Sequence, residues 1–160
     1  YFLINLYELY NGSTGVELVA EKCITSNDVV FDSPESIMSF CNNFLKMSVL
    51  ADERIYLFTL NNQHAVTGVF LIGKGDAQSC LCDVCGIALR VLMMHATSYV
   101  LAHNHPSGTV TPSKMDDNMT LKCIQLASLC GLNFLDHVIC GKYGYYSYCC
   151  KDRLNKEALR

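Results

Sequence analysis

Apolar residues along this chain fall into short blocks separated by turn-forming residues, which predicts strands alternating with helices. Blocks rich in Val, Ile, Leu, Phe and Tyr predict strands over 1–10, 16–24, 55–60, 65–72, 98–102, 134–140 and 145–149. Apolar residues three or four positions apart predict helices over 33–47, 84–95 and 114–130, and the charged tail over 151–160 is expected to be helical or frayed. Strands alternating with helices predict an α/β sandwich in a single domain that spans 1–160.

Composition narrows the class of protein. The 160 residues are 51% hydrophobic and 17% charged, which predicts a packed core and argues against disorder. A net charge of -3 without a Lys/Arg cluster argues against broad nucleic-acid binding. No apolar run is long enough to span a membrane, so no membrane partner is expected.

The cellular setting is predicted from the N-terminus and the cysteines. The chain begins without Met and its start has neither the basic region nor the small-residue cleavage site of a signal peptide, so we expect a fragment of a longer protein. Several of the ten cysteines fall in predicted core segments, such as Cys123 and Cys130, where they act as small hydrophobes. A domain this apolar does not need disulfides, so we predict a reducing, cytoplasmic setting.

The strongest chemical signal runs from His103 to Asp116, directly after an apolar strand. His103 and His105 are two residues apart, so they project to the same side of an extended chain. Ser113 and Asp116 have the spacing of a capping pair, which places Asp116 in the first turn of a helix, where the dipole favours an anion. Taken alone, that pair is a plain capping box, and His-x-His is common by chance.

Together the three side chains predict a metal site. His103, His105 and Asp116 are three ligands of the kinds that Zn²⁺ prefers, and the fourth position stays open for water. Zinc lowers the pKa of a bound water from about 15.7 to about 7, which makes hydroxide available at neutral pH. The cofactor predicted from these residues is therefore Zn²⁺.

The same stretch resembles a known family signature. His-x-His, seven residues, Ser, two residues and Asp is similar to the JAMM (MPN+/JAB) metallohydrolase motif. The form His-Asn-His-Pro-Ser-Gly, and the later Leu135-Asp-His-Val-Ile139, resemble the RadC branch of that superfamily. The resemblance covers roughly 53–148, so the motif-bearing part is about 50–150, preceded by an N-terminal hairpin and helix over 1–50. It implies the mixed-sheet JAMM/MPN fold, related to cytidine deaminases, and zinc-dependent hydrolysis of a peptide or isopeptide amide in an unidentified peptide or protein.

The resemblance also implies catalytic roles for two further residues. Glu53, just before an apolar strand, would take a proton from the attacking water and return it to the leaving amine. The alternative without a catalytic role is that Glu53 is a solvated acid at a strand edge. Asp52 is the second candidate for the catalytic acid and base. Ser113 would help hold the oxyanion of the tetrahedral intermediate, a contact typically worth about 2.7–4 kcal/mol of barrier.

Several alternatives remain. If the RadC label describes its role, the chain is instead an accessory protein of DNA repair or mobile elements, either non-enzymatic or metal-dependent. A further alternative is a metal-dependent nuclease. The pair Cys82-x-x-Cys85 suggests half a structural zinc site, but no second pair follows, and it replaces the Pro-Arg-Glu triplet usual in RadC-like proteins. His64, His95 and His137 are expected to be structural, with His137 an alternative candidate for orienting a metal ligand.

Overall fold

The computed structural model describes residues 2–12, 15–26, 29–75 and 83–155. The described strands form one mixed β-sheet. Its strands are β1 (Phe2–Gly12), β2 (Gly15–Ser26), β3 (Glu53–Leu60), β4 (Val66–Gly75), β5 (Ser98–Asn104), β6 (Asn133–Cys140) and β7 (Tyr145–Ser147). The helices are α1 (Pro34–Asn43), α2 (Val84–Met93) and α3 (Lys114–Cys130), with a 3₁₀ turn at Met47–Val49. These elements confirm the predicted α/β class, with a mixed sheet flanked by helices.

The strand order places β5 between β3 and β6. Over the described residues the order is β2-β1-β4-β3-β5-β6-β7. Strand β5 pairs antiparallel with β3 and parallel with β6, and the β1–β4 pair is also parallel. In this register Ile55 of β3 and Ile139 of β6 both lie opposite His103, so the predicted metal motif emerges between two neighbouring strands.

The helices cover both faces of the sheet. Side chains alternate between faces along a strand, so even-numbered residues of β3 and β5, such as Phe58 and Val100, pack with α1. Odd-numbered residues, such as Leu57 and Leu101, pack with α2 and α3 on the opposite face. His103 shares the odd-numbered face, and it therefore points toward α3.

Helix ends follow local rules that were visible in the chain. Ser33 and Ser113 each accept a backbone N–H from the residue three positions on, which caps α1 and α3. Gly131 ends α3 with a φ of 67°, a conformation that glycine adopts without a steric cost. Both caps and the glycine stop agree with the predicted helix boundaries at these points.

Other boundaries differ from the predictions. Helix α1 ends at Asn43 instead of near Met47, and the chain then turns at Lys46, which has a φ of 56°. Strand β4 continues to Gly75, because its glycines still pair with β3. Strand β5 continues through His103 to Asn104.

The remaining predictions have mixed outcomes. Helix α2 ends at Met93 rather than 95, and β7 ends at Ser147 rather than 149. Cys123 is buried as predicted, but Cys130 at the end of α3 is exposed. Within the described part of the tail, 151–152 form a turn, and 156–160 lie outside the described residues. In the part of the chain that the structure describes, no helix is long and apolar enough to cross a membrane.

Candidate metal centre

The three predicted ligands meet where β5 ends and α3 begins. His103 is the penultimate residue of β5, and His105 begins the loop over 105–112, here called the His105 loop. The His105 backbone N–H donates to the Cys140 carbonyl at 3.2 Å, which ties the loop to the end of β6. Asp116 lies in the first turn of α3, so the chain folds back on itself to bring all three side chains together.

The distances fit a single metal ion. His103 Nε2 lies 3.0 Å from His105 Nε2 and 3.1 Å from Asp116 Oδ1, and His105 Nε2 lies 3.5 Å from Asp116 Oδ2. A tetrahedral zinc ion with bonds of about 2.0–2.1 Å separates its ligand atoms by roughly 3.3 Å. Among the described residues, only these three form a His/Cys/Asp/Glu group that could hold a metal ion.

Charge at the centre favours a cation. Burial would raise the pKa of Asp116, but hydrogen bonding with His103 and His105 outweighs it and holds this pKa well below its usual range, so the carboxylate is ionised. The hydrogen bond to Asp116 raises the pKa of His105 despite partial burial. An ionised carboxylate beside two imidazole nitrogens is a set of ligand atoms suited to a cation.

One histidine is already oriented by the loop. His105 Nδ1 lies 3.0 Å from the Thr109 carbonyl, which can only accept a hydrogen bond, so Nδ1 carries the proton. In the neutral ring, the lone pair is therefore on Nε2, the atom that faces His103 and Asp116. Metal-bound histidines in proteins usually have this arrangement, with the second nitrogen donating to a carbonyl or carboxylate.

Asp116 takes part in the centre and in the helix cap at once. Its Oδ2 accepts the Ser113 backbone N–H at 2.6 Å, while the Ser113 hydroxyl oxygen accepts the Asp116 N–H at 3.2 Å. The capping box and the metal-ligand interpretation are therefore compatible rather than alternatives, because each carboxylate oxygen also faces a histidine.

The two predicted catalytic residues line one cleft beside these ligands. The cleft has a volume of about 380 Å³ and is lined by Glu53, Ser113, His105 and Asp116, among others. Glu53 opens β3 and is only 8% exposed, and its charge contributes to the raised pKa of His105. Position 53 is thus the first residue of the strand and is largely buried, unlike a solvated edge acid.

The substitute candidate Asp52 is held elsewhere. Its carboxylate pairs with Arg54 at 3.3 Å and with Lys74 at 3.4 Å, and it does not line the cleft. Partial burial raises the pKa of Asp52, but hydrogen bonding to Arg54 and Lys74 keeps it below the usual value. The structure therefore brings Glu53, and not Asp52, to the predicted ligands.

Residues behind His103 extend the centre into the core. His103 Nδ1 lies 2.8 Å from His137 Nε2, and His137 Nδ1 lies 2.7 Å from the Thr120 hydroxyl. Burial lowers the pKa of His137 well below its usual value, so this ring is neutral. His137 was expected to be structural, with the orientation of a metal ligand as the alternative. In the structure it contacts His103, a candidate metal ligand. Thr120 was missed, although its position four residues after Asp116 places both on one helix face.

The other sequence candidates lie apart from the centre. His64 and His95 occupy turns, with φ of 59° and 49°. Cys85 is exposed at the start of α2, and Cys82 lies outside the described residues. The structure therefore leaves the paired-cysteine hypothesis untested.

A second cleft adjoins the first across the His105 loop. It has a volume of about 680 Å³ and is lined by Val49, Leu50, Lys142 and Tyr143 on the side away from Glu53. Both clefts share His105, Pro106, Ser107 and Thr109 as lining residues. The candidate centre therefore lies beside two clefts that are joined through the His105 loop.

Comparisons with known proteins agree with this architecture. The family model described as "RadC-like JAB domain" matches residues 31–154. A UPF0758 protein of Clostridium botulinum (strain Alaska E43 / Type E3) is 33% identical over 120 residues, which cover 75% of this chain and 52% of the relative. A UPF0758 protein of Clostridium beijerinckii is 29% identical over 122 residues, covering 76% of this chain and 52% of the relative.

The chain spans about half the length of these curated relatives. The match at 31–154 includes every residue of the candidate centre and its cleft, while the predicted domain limits of 1–160 stay a prediction. The resemblance inferred from the His-x-His and Ser-x-x-Asp pattern is confirmed, and the chain belongs to the family of RadC-like JAB domain proteins.

Proposed function

We propose that this chain is a zinc-dependent metallohydrolase of the JAMM type that cleaves a peptide or isopeptide amide bond. One observation carries the proposal: three side chains that fit a tetrahedral ion meet beside a cleft, and a mostly buried glutamate and a helix-capping serine line that cleft. Metal ligands, a proton carrier and a hydroxyl donor are the parts that hydrolysis by an activated water needs.

His103, His105 and Asp116 would hold the ion. When bound, zinc would supply an activated water at neutral pH and polarise the substrate carbonyl. Glu53 would accept a proton from the attacking water and then donate it to the leaving amine. Its low exposure suits this role, because a carboxylate shielded from solvent keeps a defined position beside the reacting groups.

Ser113 would donate to the developing oxyanion. In the capping box its hydroxyl oxygen accepts the Asp116 N–H, so the hydroxyl proton is not used by the cap. Capping and donation therefore involve different parts of the same hydroxyl group. Ser113 lines the same cleft as Glu53, which supports a role for both residues beside one substrate.

The two adjoining clefts favour a polypeptide substrate. An extended chain could lie in the cleft beside Glu53 and continue across the His105 loop into the second cleft. There Val49 and Tyr143, which are 73% and 88% exposed, would contact apolar side chains. The cytoplasmic setting stays a prediction from the cysteine content.

Metal analysis and a matched pair of acid variants test this function. We expect about one zinc per chain by elemental analysis, lost in His103→Ala/His105→Ala. Glu53→Gln should retain zinc and lose cleavage of a fluorogenic peptide library, while Asp52→Asn, at the neighbouring acid outside the cleft, should retain both.

The outcomes separate the proposed hydrolase from the alternatives. Zinc that survives the double histidine variant would move the metal site to the cysteines. Turnover retained by Glu53→Gln would remove that residue from the mechanism. A zinc-loaded protein that cleaves no peptide would favour the DNA-repair accessory role that the RadC name suggests.

A further inference from the structure

A buried row of hydrogen bonds links two of the candidate metal ligands behind the centre. It runs from His103 Nδ1 to His137 Nε2 at 2.8 Å, and from His137 Nδ1 to Thr120 Oγ1 at 2.7 Å. The Thr120 hydroxyl then donates to the Asp116 carbonyl oxygen at 2.8 Å. His103, His137 and Thr120 are each 0% exposed, so these bonds are shielded from bulk solvent.

The Asp116 carbonyl at the end of this row determines which nitrogen of each histidine is protonated. The Asp116 carbonyl can only accept, so Thr120 spends its single proton there and must accept from His137 Nδ1. A neutral His137 with its proton on Nδ1 has a lone pair on Nε2, and it must accept from His103 Nδ1. His103 Nε2 is then left with a lone pair, directed toward His105 and Asp116.

We propose that Thr120 and His137 are positioning residues that fix His103 as its Nδ1–H tautomer and so keep Nε2 ready to bind metal. This inference rests on the proposed function, because it assigns the metal site a tautomer control that lies outside its ligands. This control is needed because a contact in the centre also favours the opposite tautomer. With the proton on Nε2, His103 would donate to ionised Asp116 Oδ1 at 3.1 Å and would block the metal.

Packing holds this row of hydrogen bonds, here called the Thr120–His137–His103 relay, in place. The Tyr148 ring stacks on His137 with centroids 5.1 Å apart and planes 5° from parallel. The Tyr148 hydroxyl donates to the Asp117 carboxylate at 2.7 Å, and the His137 backbone N–H donates to Asp136 Oδ1 at 2.7 Å. Rotation of the His137 ring would break its stacking on Tyr148 and both of its own hydrogen bonds, so the ring keeps Thr120 connected to His103.

Replacing Thr120 in the 160-residue chain tests the relay. Thr120→Val keeps nearly the same shape and removes the hydroxyl, whereas Thr120→Ser keeps the hydroxyl. Without that acceptor the His137 proton moves to Nε2, and the proton of His103 moves to its own Nε2. We expect Thr120→Val to bind zinc about 10–100-fold more weakly, the usual effect of losing a partner behind a ligand, and Thr120→Ser to stay close to wild type.

A matched buried threonine controls for general damage. Thr59 is also 0% exposed, and its hydroxyl lies 3.0 Å from the Thr67 hydroxyl, on β3 and away from the centre. Thr59→Val should be destabilised in a comparable way and keep its zinc affinity. Equal loss of affinity in Thr59→Val and Thr120→Val would show a general packing effect and overturn the proposal.

The tautomer itself is read from ¹⁵N chemical shifts of the His103 ring in the metal-free protein. Wild type and Thr120→Ser should show the proton on Nδ1, and Thr120→Val should show it moved toward Nε2. A wild-type ring protonated on Nε2 would overturn the proposal, as would wild-type zinc affinity in Thr120→Val. If wild type binds no zinc, the proposed function fails, while these shifts still decide the relay.

Discussion

Replacing Gly141 by alanine should displace the metal-binding loop from outside the centre. Gly141 follows β6 and is buried against the His105 loop. An added Cβ would lie 2.5 Å from Val110 Cγ1 and 2.9 Å from the Gly108 carbonyl oxygen. The Val110 side chain can rotate, but the Gly108 oxygen belongs to the backbone of the loop that carries His105, so the loop itself must move.

The size of the effect follows from those distances. Ordinary contact begins near 3.4 Å, so the Gly108 carbonyl must withdraw by about 0.5 Å. Overpacking of this kind costs about 1–3 kcal/mol of the free energy of unfolding. If the loop passes a shift of that size on to His105, the shift exceeds the tolerance of about 0.2 Å in metal–ligand distances. We therefore expect Gly141→Ala to bind zinc about tenfold more weakly or worse.

Gly144 provides the matched control three residues later in the same turn. An added Cβ there meets nothing within 4 Å. Gly144→Ala should keep its zinc affinity and be unchanged or stabilised by about 0.4–1 kcal/mol, because alanine restricts the unfolded chain. Urea unfolding and competitive zinc titration measure both quantities. Wild-type zinc affinity in Gly141→Ala, or an equal loss in both variants, would refute the argument from backbone contact.

Two further predictions concern a helix cap and an exposed hydrogen bond. Ser113→Ala should lose about 1 kcal/mol of stability in urea unfolding, because the Asp116 N–H loses its acceptor, and Ser113→Thr should lose less. If Ser113 also donates to the oxyanion, the alanine variant should lose roughly 10²–10³ in kcat with zinc retained, and unchanged kcat would remove that role. The Tyr145 hydroxyl donates to Glu35, and this bond lowers the pKa of Glu35. A lowered carboxyl pKa stabilises the fold above the unfolded value of 4.5, and the stabilisation is lost as pH falls through the folded value. The stability difference between wild type and Tyr145→Phe should therefore shrink in acid, and a difference independent of pH between 3 and 7 would contradict this linkage.

Local patterns account for what could be predicted. Strand and helix positions follow from apolar periodicity, which acts over a few residues at a time. The caps at Ser33 and Ser113 and the stop at Gly131 depend on neighbouring backbone groups alone. The predicted ligands were recognisable because a strand, a loop and a helix that are contiguous in the chain bring His103, His105 and Asp116 together.

Element boundaries were less predictable where pairing partners decide them. Strand β4 extends through Gly73 to Gly75 because β3 offers hydrogen bonds along its whole length. Strand β5 includes His103 and Asn104 because β3 and β6 both continue beside it. Apolar periodicity carries no information about such partners, since a glycine or histidine is polar or neutral in any local count.

The sequence by itself determined the α/β class, the family motif and the three predicted ligands, because each depends on contacts between near neighbours in the chain. Only the tertiary structure decided that Glu53 rather than Asp52 lines the cleft, since both precede the same strand. It alone placed His137 against His103, across 34 residues of sequence, and joined Thr120 to the pair. Those contacts depend on the order of β3, β5 and β6 in the sheet, and strand order arises from the packing of the whole domain.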